Sequence, residues 1–325
     1  MRNITVKFLI VLLSLTYTTN IKGWGFWSHK HINRMAVFTL PPEMIGFYKK
    51  HIEYITNEAV RPDKRRYAIK EEAPRHYIDI DHYGEEPFKI MPKRWKDAVE
   101  KFTEDTLQEY GILPWHLNLM MYKLTDAFKE KNAYRILKIS TEFGHYMGDA
   151  HVPLHTTENY NGQFTDQKGI HGFWESRLPE LYADNYDYLV GRAKYVDKPL
   201  ARIWEIIHAS FSALDSVLTF EKELHNSFPS DQIYSYETRG RSNIKTHSQP
   251  YSYAYHKKLS GMVERRLTAS MIDLGSFWFT AWVNAGQPNL DNLSLKEESE
   301  DEKEEKKKMN LLWQAGKIFG REHSN

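Results

Sequence analysis

The sequence contains no cysteine, so disulfide bonds cannot stabilise the fold. If the protein is exported, bound metal is one way to supply the stability that disulfides would otherwise give. It also lacks an excess of either charge, since its formal net charge is +1. That balance excludes the global basic footprint that drives non-specific binding to nucleic acid. Strand-like alternation of apolar and polar residues is scarce, which argues against a β-rich fold.

Long hydrophobic runs are absent as well. The longest apolar stretch near the N-terminus, Phe8 to Leu15, is far shorter than the roughly twenty residues that cross a bilayer. Arg2 and Lys7 precede this stretch, and a polar segment ending at Lys22-Gly23 follows it. This layout is typical of a secretory signal peptide, so we expect residues 1–23 to be removed and the protein to be secreted or periplasmic.

Helical periodicity accounts for most of the remaining chain. Proline and glycine separate segments whose apolar residues recur with a helical period, at about 29–39, 42–58, 93–109, 114–129, 131–151, 172–184, 198–226 and 256–286. We therefore predict an all-α protein with one multi-helical domain over residues 24–294. The almost entirely charged run at 296–308 predicts a solvated helix or linker within a C-terminal tail, residues 295–325.

Histidine is unusually frequent, with 15 residues. His145 and Asp149 lie four residues apart on a predicted helix, which places them on one face. Pro153 ends that helix, so His155 in the following turn can point back towards its end. His171 and Glu175 repeat the four-residue spacing after an irregular loop at 156–169. Imidazole and carboxylate pairs of this kind suit zinc, although one such pair alone is more often a surface hydrogen bond.

Two further histidines, His29 and His76, become informative only as part of this set. A single histidine among aromatic residues is usually a packed side chain with one hydrogen bond. The other histidines of the chain are therefore expected to be structural.

Together these residues resemble the zinc-dependent phospholipase C superfamily, which also contains the single-strand-specific zinc nucleases of fungi and plants. The shared features are a mature chain beginning at tryptophan, a nearby histidine, an aspartate upstream of a second histidine, the pattern HxxxDxxxPxH and a final HxxxE. In this sequence they correspond to Trp24, His29, Asp63 with His76, His145 to His155, and His171 with Glu175.

The resemblance implies three zinc ions in one cleft. The first would be held by Asp63, His76, His145 and Asp149, and the second by His155, His171 and Glu175. The third would be held by Trp24, through its free amine and carbonyl, together with His29 and Asp149. The expected reaction is hydrolysis of a phosphate diester by a hydroxide bridging the zinc ions, because zinc lowers the pKa of bound water.

Asp63 is the expected catalytic residue, as a metal ligand that also orients the attacking water. Glu58, Glu71 and Glu72 lie in the same stretch and are alternatives to it. Asp79 and Asp81 are candidates for a different role, that of orienting a ligating histidine from behind.

Three functions remain open at this stage. The phospholipases of the superfamily carry glutamate at the position of Glu175, whereas the nucleases typically carry aspartate. This resemblance favours a phospholipid substrate. Lys64, where choline-specific members carry an aromatic residue, speaks against choline, and with Arg65 and Arg66 suits an anionic head group or a polynucleotide. The alternatives are therefore a monomeric phospholipase C, a single-strand-preferring nuclease or nucleotidase, and a structural zinc protein without turnover.

Overall fold

The computed structural model describes residues 25–239, 242–293 and 300–316. The expected signal peptide and Trp24 lie outside these residues. Within them, no helix is both long and apolar enough to span a bilayer. The predicted all-α fold is confirmed, because helices dominate and the only sheet within these ranges is a two-stranded hairpin.

The helices are labelled in chain order. Their bounds are α1 Gly25–Ala36, α2 Pro42–Lys50, α3 Ile52–Asn57, α4 Arg61–Arg65, α5 Pro87–Ile90, α6 Trp95–Phe102, α7 Glu104–Tyr110, α8 Leu113–Lys129, α9 Ala133–Ala150, α10 Ile170–Gly172, α11 Leu178–Tyr182, α12 Pro199–Ser227, α13 Gln249–Lys258, α14 Met262–Asn284 and α15 Glu300–Gln314. The strands are β1 Tyr234–Arg239 and β2 Ser242–His247. Short 3₁₀ turns occupy Val37–Thr39, Glu58–Val60, Lys70–His76, Ile80–Tyr83, Pro153–Thr156, Ala183–Asn185 and Ser230–Gln232.

Several predicted helices are divided in the structure. The prediction over 93–109 breaks at Thr103, whose backbone has φ +68°, and the one over 256–286 breaks at Gly261, with φ +74°. Such left-handed positions end a helix because they cannot continue its hydrogen-bond ladder. The hairpin and most of helix α13, up to residue 255, have no counterpart in the predicted segments. The predicted loop at 156–169 does lack α-helix.

Helix α9 is the central element, with α1, α3, α8, α12 and α14 packed around it. Asn132 caps its start by accepting a hydrogen bond from the Arg135 amide at 3.1 Å. Two glycines on α9 let α1 approach closely. A Cβ atom on Gly144 would lie 1.8 Å from Asn33 Oδ1, and one on Gly148 would lie 2.9 Å from His29 Nδ1. This close approach brings His29 to the face of α9 that carries His145 and Asp149.

The core beneath this layer is aromatic and fully buried. The rings of Tyr48 and Trp278 stack at 4.8 Å. Both also bond to Ser140 of α9: the Tyr48 hydroxyl lies 2.8 Å from its hydroxyl, and the Trp278 indole donates to its carbonyl at 3.2 Å. These contacts satisfy the polar tips of the two rings and fix α2 and α14 against α9.

Helix α15 packs on α4 and on the start of α1. Its Met309 is buried, Lys306 pairs with Glu58 at 2.8 Å, and the Trp313 ring lies 5.9 Å from that of Phe26. The C-terminal charged segment therefore includes a helix that is docked on the domain rather than separate from it.

Candidate metal centre

Eight of the nine residues expected to bind metal converge on one buried pocket, and the ninth, Trp24, lies outside the described residues. Helix α9 contributes two of them, α1 and α4 one each, and three short turns and α10 the rest. In chain order the eight are His29, Asp63, His76, His145, Asp149, His155, His171 and Glu175. Their ligand atoms form three groups, each within 4.8 Å, and two of these groups share His145.

The first group surrounds His145 on α9. Its Nε2 atom lies 3.1 Å from His76 Nδ1, 3.6 Å from Asp63 Oδ1 and 3.4 Å from Asp149 Oδ2. Asp63 lies on α4, whose start is set by Pro62, and its carboxylate is 17% exposed, the most exposed of the group. Glu58 and Glu71 do not join it, because Glu58 pairs with Lys306 and Glu71 is exposed.

The second group joins the two ends of the loop at 156–169. His171 Nε2 lies 2.7 Å from Glu175 Oε2, and His155 Nε2 lies 3.5 Å from the same oxygen. Glu175 belongs to a π-helical turn, Phe173–Arg177. Single π turns within helices are frequent at functional sites because the wider turn re-aims its side chains. The periodicity of the sequence gave no sign of this turn.

Asp149 connects the groups. Its Oδ2 atom lies 3.0 Å from His76 Nδ1, and its Oδ1 atom lies 3.4 Å from His29 Nε2 and 3.9 Å from His155 Nε2. Gly25, the neighbour of Trp24, also reaches this region, since a Cβ atom there would lie 3.2 Å from Glu175 Oε1.

Backbone carbonyls fix the orientation of three of the imidazoles. The Nδ1 atom of His145 donates to Ala59 O at 2.9 Å, that of His155 to His76 O at 2.6 Å, and that of His171 to Tyr160 O at 3.1 Å. A carbonyl can only accept, so each Nδ1 carries the proton and each neutral ring directs an Nε2 lone pair into the pocket. The Nε2 atom of each of these three rings is therefore the one that can ligate a metal ion.

The pKa values agree with neutral imidazoles. Burial lowers the pKa of His29 to about 3, with His145 as the next cause, and burial lowers that of His145 to about 3. Burial also raises the pKa of Asp149 well above its ordinary value, and the nearby carboxylates of Asp63 and Glu175 add to the shift. Burial would raise the pKa of Glu175, but the adjacent imidazoles of His155 and His171 hold it below its ordinary value.

The donor set fits metal ions. His76 Nδ1 lies 3.1 Å from His145 Nε2 and 3.0 Å from Asp149 Oδ2, so with the His76 proton on Nε2 two imidazole lone pairs and a carboxylate oxygen can share one cation. Nitrogen and carboxylate oxygen without sulfur suit zinc and similar divalent ions. These residues can therefore hold metal, with Asp149 shared between groups.

Behind His76 lies a buried charged network centred on Glu72. Its Oε1 atom is 3.6 Å from His76 Nε2, and its Oε2 atom accepts from Arg65 Nε at 2.8 Å. The Tyr146 hydroxyl also donates to Glu72, at short range. Glu72 is therefore the carboxylate that approaches His76 Nε2, at a distance longer than a direct hydrogen bond. Asp81 instead accepts from Thr157 Oγ1 at 2.6 Å and from the Glu158 amide at 3.1 Å, and so anchors the loop.

The three consecutive cations at 64–66 have different environments. Arg65 is bound by Glu72 and by Glu142, at 2.9 Å, and so belongs to the network. Arg66 is buried, and its Nη1 atom lies 3.8 Å from Asp63 Oδ1. The Lys64 ammonium lies 4.9 Å from the centre of the Trp313 ring. Of the three, Arg66 is the cation beside the metal-binding groups.

Aromatic side chains near the ligands are mostly core. Tyr77, Tyr83 and Trp174 are buried, as aromatic side chains that pack in a core usually are. Phe164 differs, because it is 72% exposed on the loop between His155 and His171. Asn159 Oδ1 accepts from the Phe164 amide at 2.8 Å and holds that loop in shape.

No protein-family model matches this chain. The chain is similar to Endonuclease 2 of Arabidopsis thaliana, with 23% identity over 220 residues. The aligned region covers 62% of this chain and 73% of the plant protein. The similarity therefore extends over most of a domain and is not confined to one short motif.

Proposed function

We propose that this protein is a metal-dependent phosphodiester hydrolase of the nuclease type, which prefers single-stranded nucleic acid and uses three zinc ions. The convergence of eight imidazole and carboxylate side chains on one buried pocket is the observation that carries the proposal. The similarity to a plant endonuclease supports it and favours the nuclease over the phospholipase C that Glu175 suggested.

The proposed ligands are those implied by the motifs. One ion would be held by Asp63, His76, His145 and Asp149. A second ion would be held by His155, His171 and Glu175. His29 and Asp149, with the amine and carbonyl of Trp24, would hold the third. Bound zinc supplies Lewis acidity and lowers the pKa of water in the pocket.

The chain's own groups complete the site. Asp63 is the proposed ligand whose side chain is most open to solvent, so an attacking water can reach its carboxylate and donate a proton to it. Arg66, 3.8 Å from Asp63, can donate hydrogen bonds to a phosphate oxygen as negative charge develops there.

The surroundings of Lys64 also speak against a choline lipid. A quaternary ammonium binds to an aromatic face, and the face of Trp313 is already covered by the Lys64 ammonium. An anionic polymer meets no such conflict, since Lys64 and Arg66 offer positive charge beside Asp63. Secretion after cleavage at Gly23 belongs to the same proposal, because only cleavage there gives Trp24 a free amine.

The test compares substrates for protein whose N-terminus has been read by mass spectrometry. Single-stranded DNA, double-stranded DNA and a water-soluble phosphatidylcholine are supplied under identical zinc and salt. The proposal expects the single strand to be cleaved fastest, and chelation to abolish cleavage. Faster turnover of the phospholipid would restore the phospholipase reading, and bound zinc with no hydrolysis of any diester would select a structural role.

A further inference from the structure

The two faces of the hairpin differ in their exposure to solvent. Exposure alternates from Tyr234 to Thr238 and from Asn243 to Thr246, whereas His247 at the base of the hairpin is partly buried. The partly buried set consists of Ser235, Glu237, Ile244 and Thr246, and the exposed set of Tyr234, Tyr236, Thr238, Asn243 and Lys245. Tyr236 pairs with Lys245 across the ladder, and residues directly opposite one another share a face. The exposed face therefore carries two tyrosines and a lysine, with no carboxylate among its described side chains.

These side chains are unusually accessible. Tyr236 is 76% exposed, more than any other aromatic residue within the described ranges. The Lys245 ammonium lies 4.1 Å from the centre of the Tyr234 ring, so a positive charge is held above the same face. Exposed aromatic rings next to a cation form the combination that binds unpaired bases and the phosphates between them.

The base of the hairpin is attached to the turn that carries Glu175. The His247 ring stacks on that of Phe173 at 3.8 Å, and Arg177 donates to His247 O at 3.3 Å. Arg177 also donates to Glu237 Oε2 at 3.0 Å. Phe173 and Arg177 lie two residues before and two residues after Glu175. The hairpin is thereby held in a fixed position relative to the metal-binding groups.

We propose that the exposed face of this hairpin binds the part of a single-stranded nucleic acid that flanks the scissile diester, with Tyr236 stacking on a base and Lys245 contacting a phosphate. The inference rests on the proposed nuclease function and adds a subsite for polymeric substrate. A base in a duplex is already stacked on both sides, so this face discriminates in favour of single strands.

The test uses the double variant Tyr236→Ala, Lys245→Ala. The matched control is Tyr122→Ala, Lys123→Ala, which removes an exposed tyrosine and a neighbouring exposed lysine from α8. Hydrolysis is measured for a dinucleotide and for an oligonucleotide of about 12 nucleotides, within the range covered by one single-strand site. We expect KM for the oligonucleotide to rise about tenfold in the hairpin variant alone, the effect of losing one stacked base.

Two further readouts separate binding from damage to the site. The kcat/KM value for the dinucleotide stays within about twofold of wild type, because the dinucleotide is too short to reach a flanking contact. The dependence of log KM on log salt also becomes shallower by about 0.7 for one lost phosphate contact on a single strand. Equal losses on both substrates, or no loss on either, would overturn the proposal.

Failure of the nuclease function is recognised separately. If wild type hydrolyses neither nucleic acid, the proposed function is wrong, and the hairpin is tested by fluorescence anisotropy with a labelled phosphorothioate single strand. About tenfold weaker binding by the hairpin variant than by the α8 control would sustain the hairpin as a nucleic-acid surface. Equal affinity of the two variants, or no binding by wild type, would reject it.

Discussion

The carboxylate of Asp149 lies between two histidines that come from different elements: its Oδ2 atom is 3.0 Å from His76 Nδ1, and its Oδ1 atom faces His29 at 3.4 Å. Asp149→Asn keeps the shape of the side chain but removes the charge that two metal ions would share. We expect more than one metal per chain to be lost and activity to fall by at least about a hundredfold, the upper end of the loss when an outer-shell partner is removed. Elemental analysis and diester hydrolysis measure both effects. Asp81→Asn is the control, since it should retain metal, and full metal content in Asp149→Asn would contradict the bridging role.

Glu72 and Glu142 both pair with Arg65, but only Glu72 reaches His76. Glu72→Gln should therefore weaken metal binding about 10- to 100-fold, as the loss of an outer-shell carboxylate does. Glu142→Gln breaks a comparable ion pair and should leave metal affinity unchanged. Competition with a chromogenic chelator measures the affinity of each variant. Equal metal affinities in the two variants would show that Glu72 acts only through the stability of the network.

Much of this site was predictable because its residues lie in short patterns whose geometry is set locally. The spacing of His145 and Asp149 fixes a shared helical face, and Pro153 turns His155 back towards it. Glu72 could not be chosen over its neighbours, because its role depends on where Arg65 and Tyr146 lie in three dimensions. The π turn around Glu175 and its attachment to the hairpin through Arg177 are tertiary features, which no local period records.

The close approach of α1 to α9 predicts a sharp difference between two glycines. A Cβ atom on Gly144 would meet Asn33 Oδ1, which belongs to a buried amide bonded to Ile55 O and Thr141 O. Gly144→Ala should lower the free energy of unfolding by about 1–3 kcal/mol or more through overpacking. Gly46→Ala, on α2 with nothing within 4 Å, should raise it by about 0.5–1 kcal/mol through helix propensity. Urea unfolding midpoints decide, and shifts of the same sign would refute the packing argument.

A second buried network predicts a dependence of stability on pH. Burial alone would raise the pKa of Asp273, but hydrogen bonds from His151 and Arg202 hold it below its ordinary value. The Asp273 side chain lies 3.0 Å from His151 Nε2 and 2.9 Å from Arg202 Nη2. The folded state therefore binds fewer protons than the unfolded state, so this contribution is complete above the unfolded pKa of about 3.9 and is lost as pH falls through the folded pKa.

Asp273→Asn isolates that contribution. At neutral pH the variant should be less stable by about 1.5–3 kcal/mol, the range for hydrogen bonds to a charged group. The difference between wild type and variant should shrink as the pH falls below about 4. This difference is measured from the free energies of unfolding of both proteins in urea at a series of pH values. Any contribution of bound metal is the same in both proteins and cancels when one value is subtracted from the other. A difference that stays constant, or grows on acidification, would be inconsistent with the depressed pKa.

The most direct test of the metal centre is the metal content of folded, exported protein whose first residue is known. We predict about three zinc ions per chain when the chain begins at Trp24, as the donor set of the pocket implies. Protein that retains one extra residue before Trp24 should hold about one fewer, because its first nitrogen is an amide and not an amine. Zero or one zinc on correctly processed, folded protein would contradict the account and leave the clustered histidines without a catalytic role.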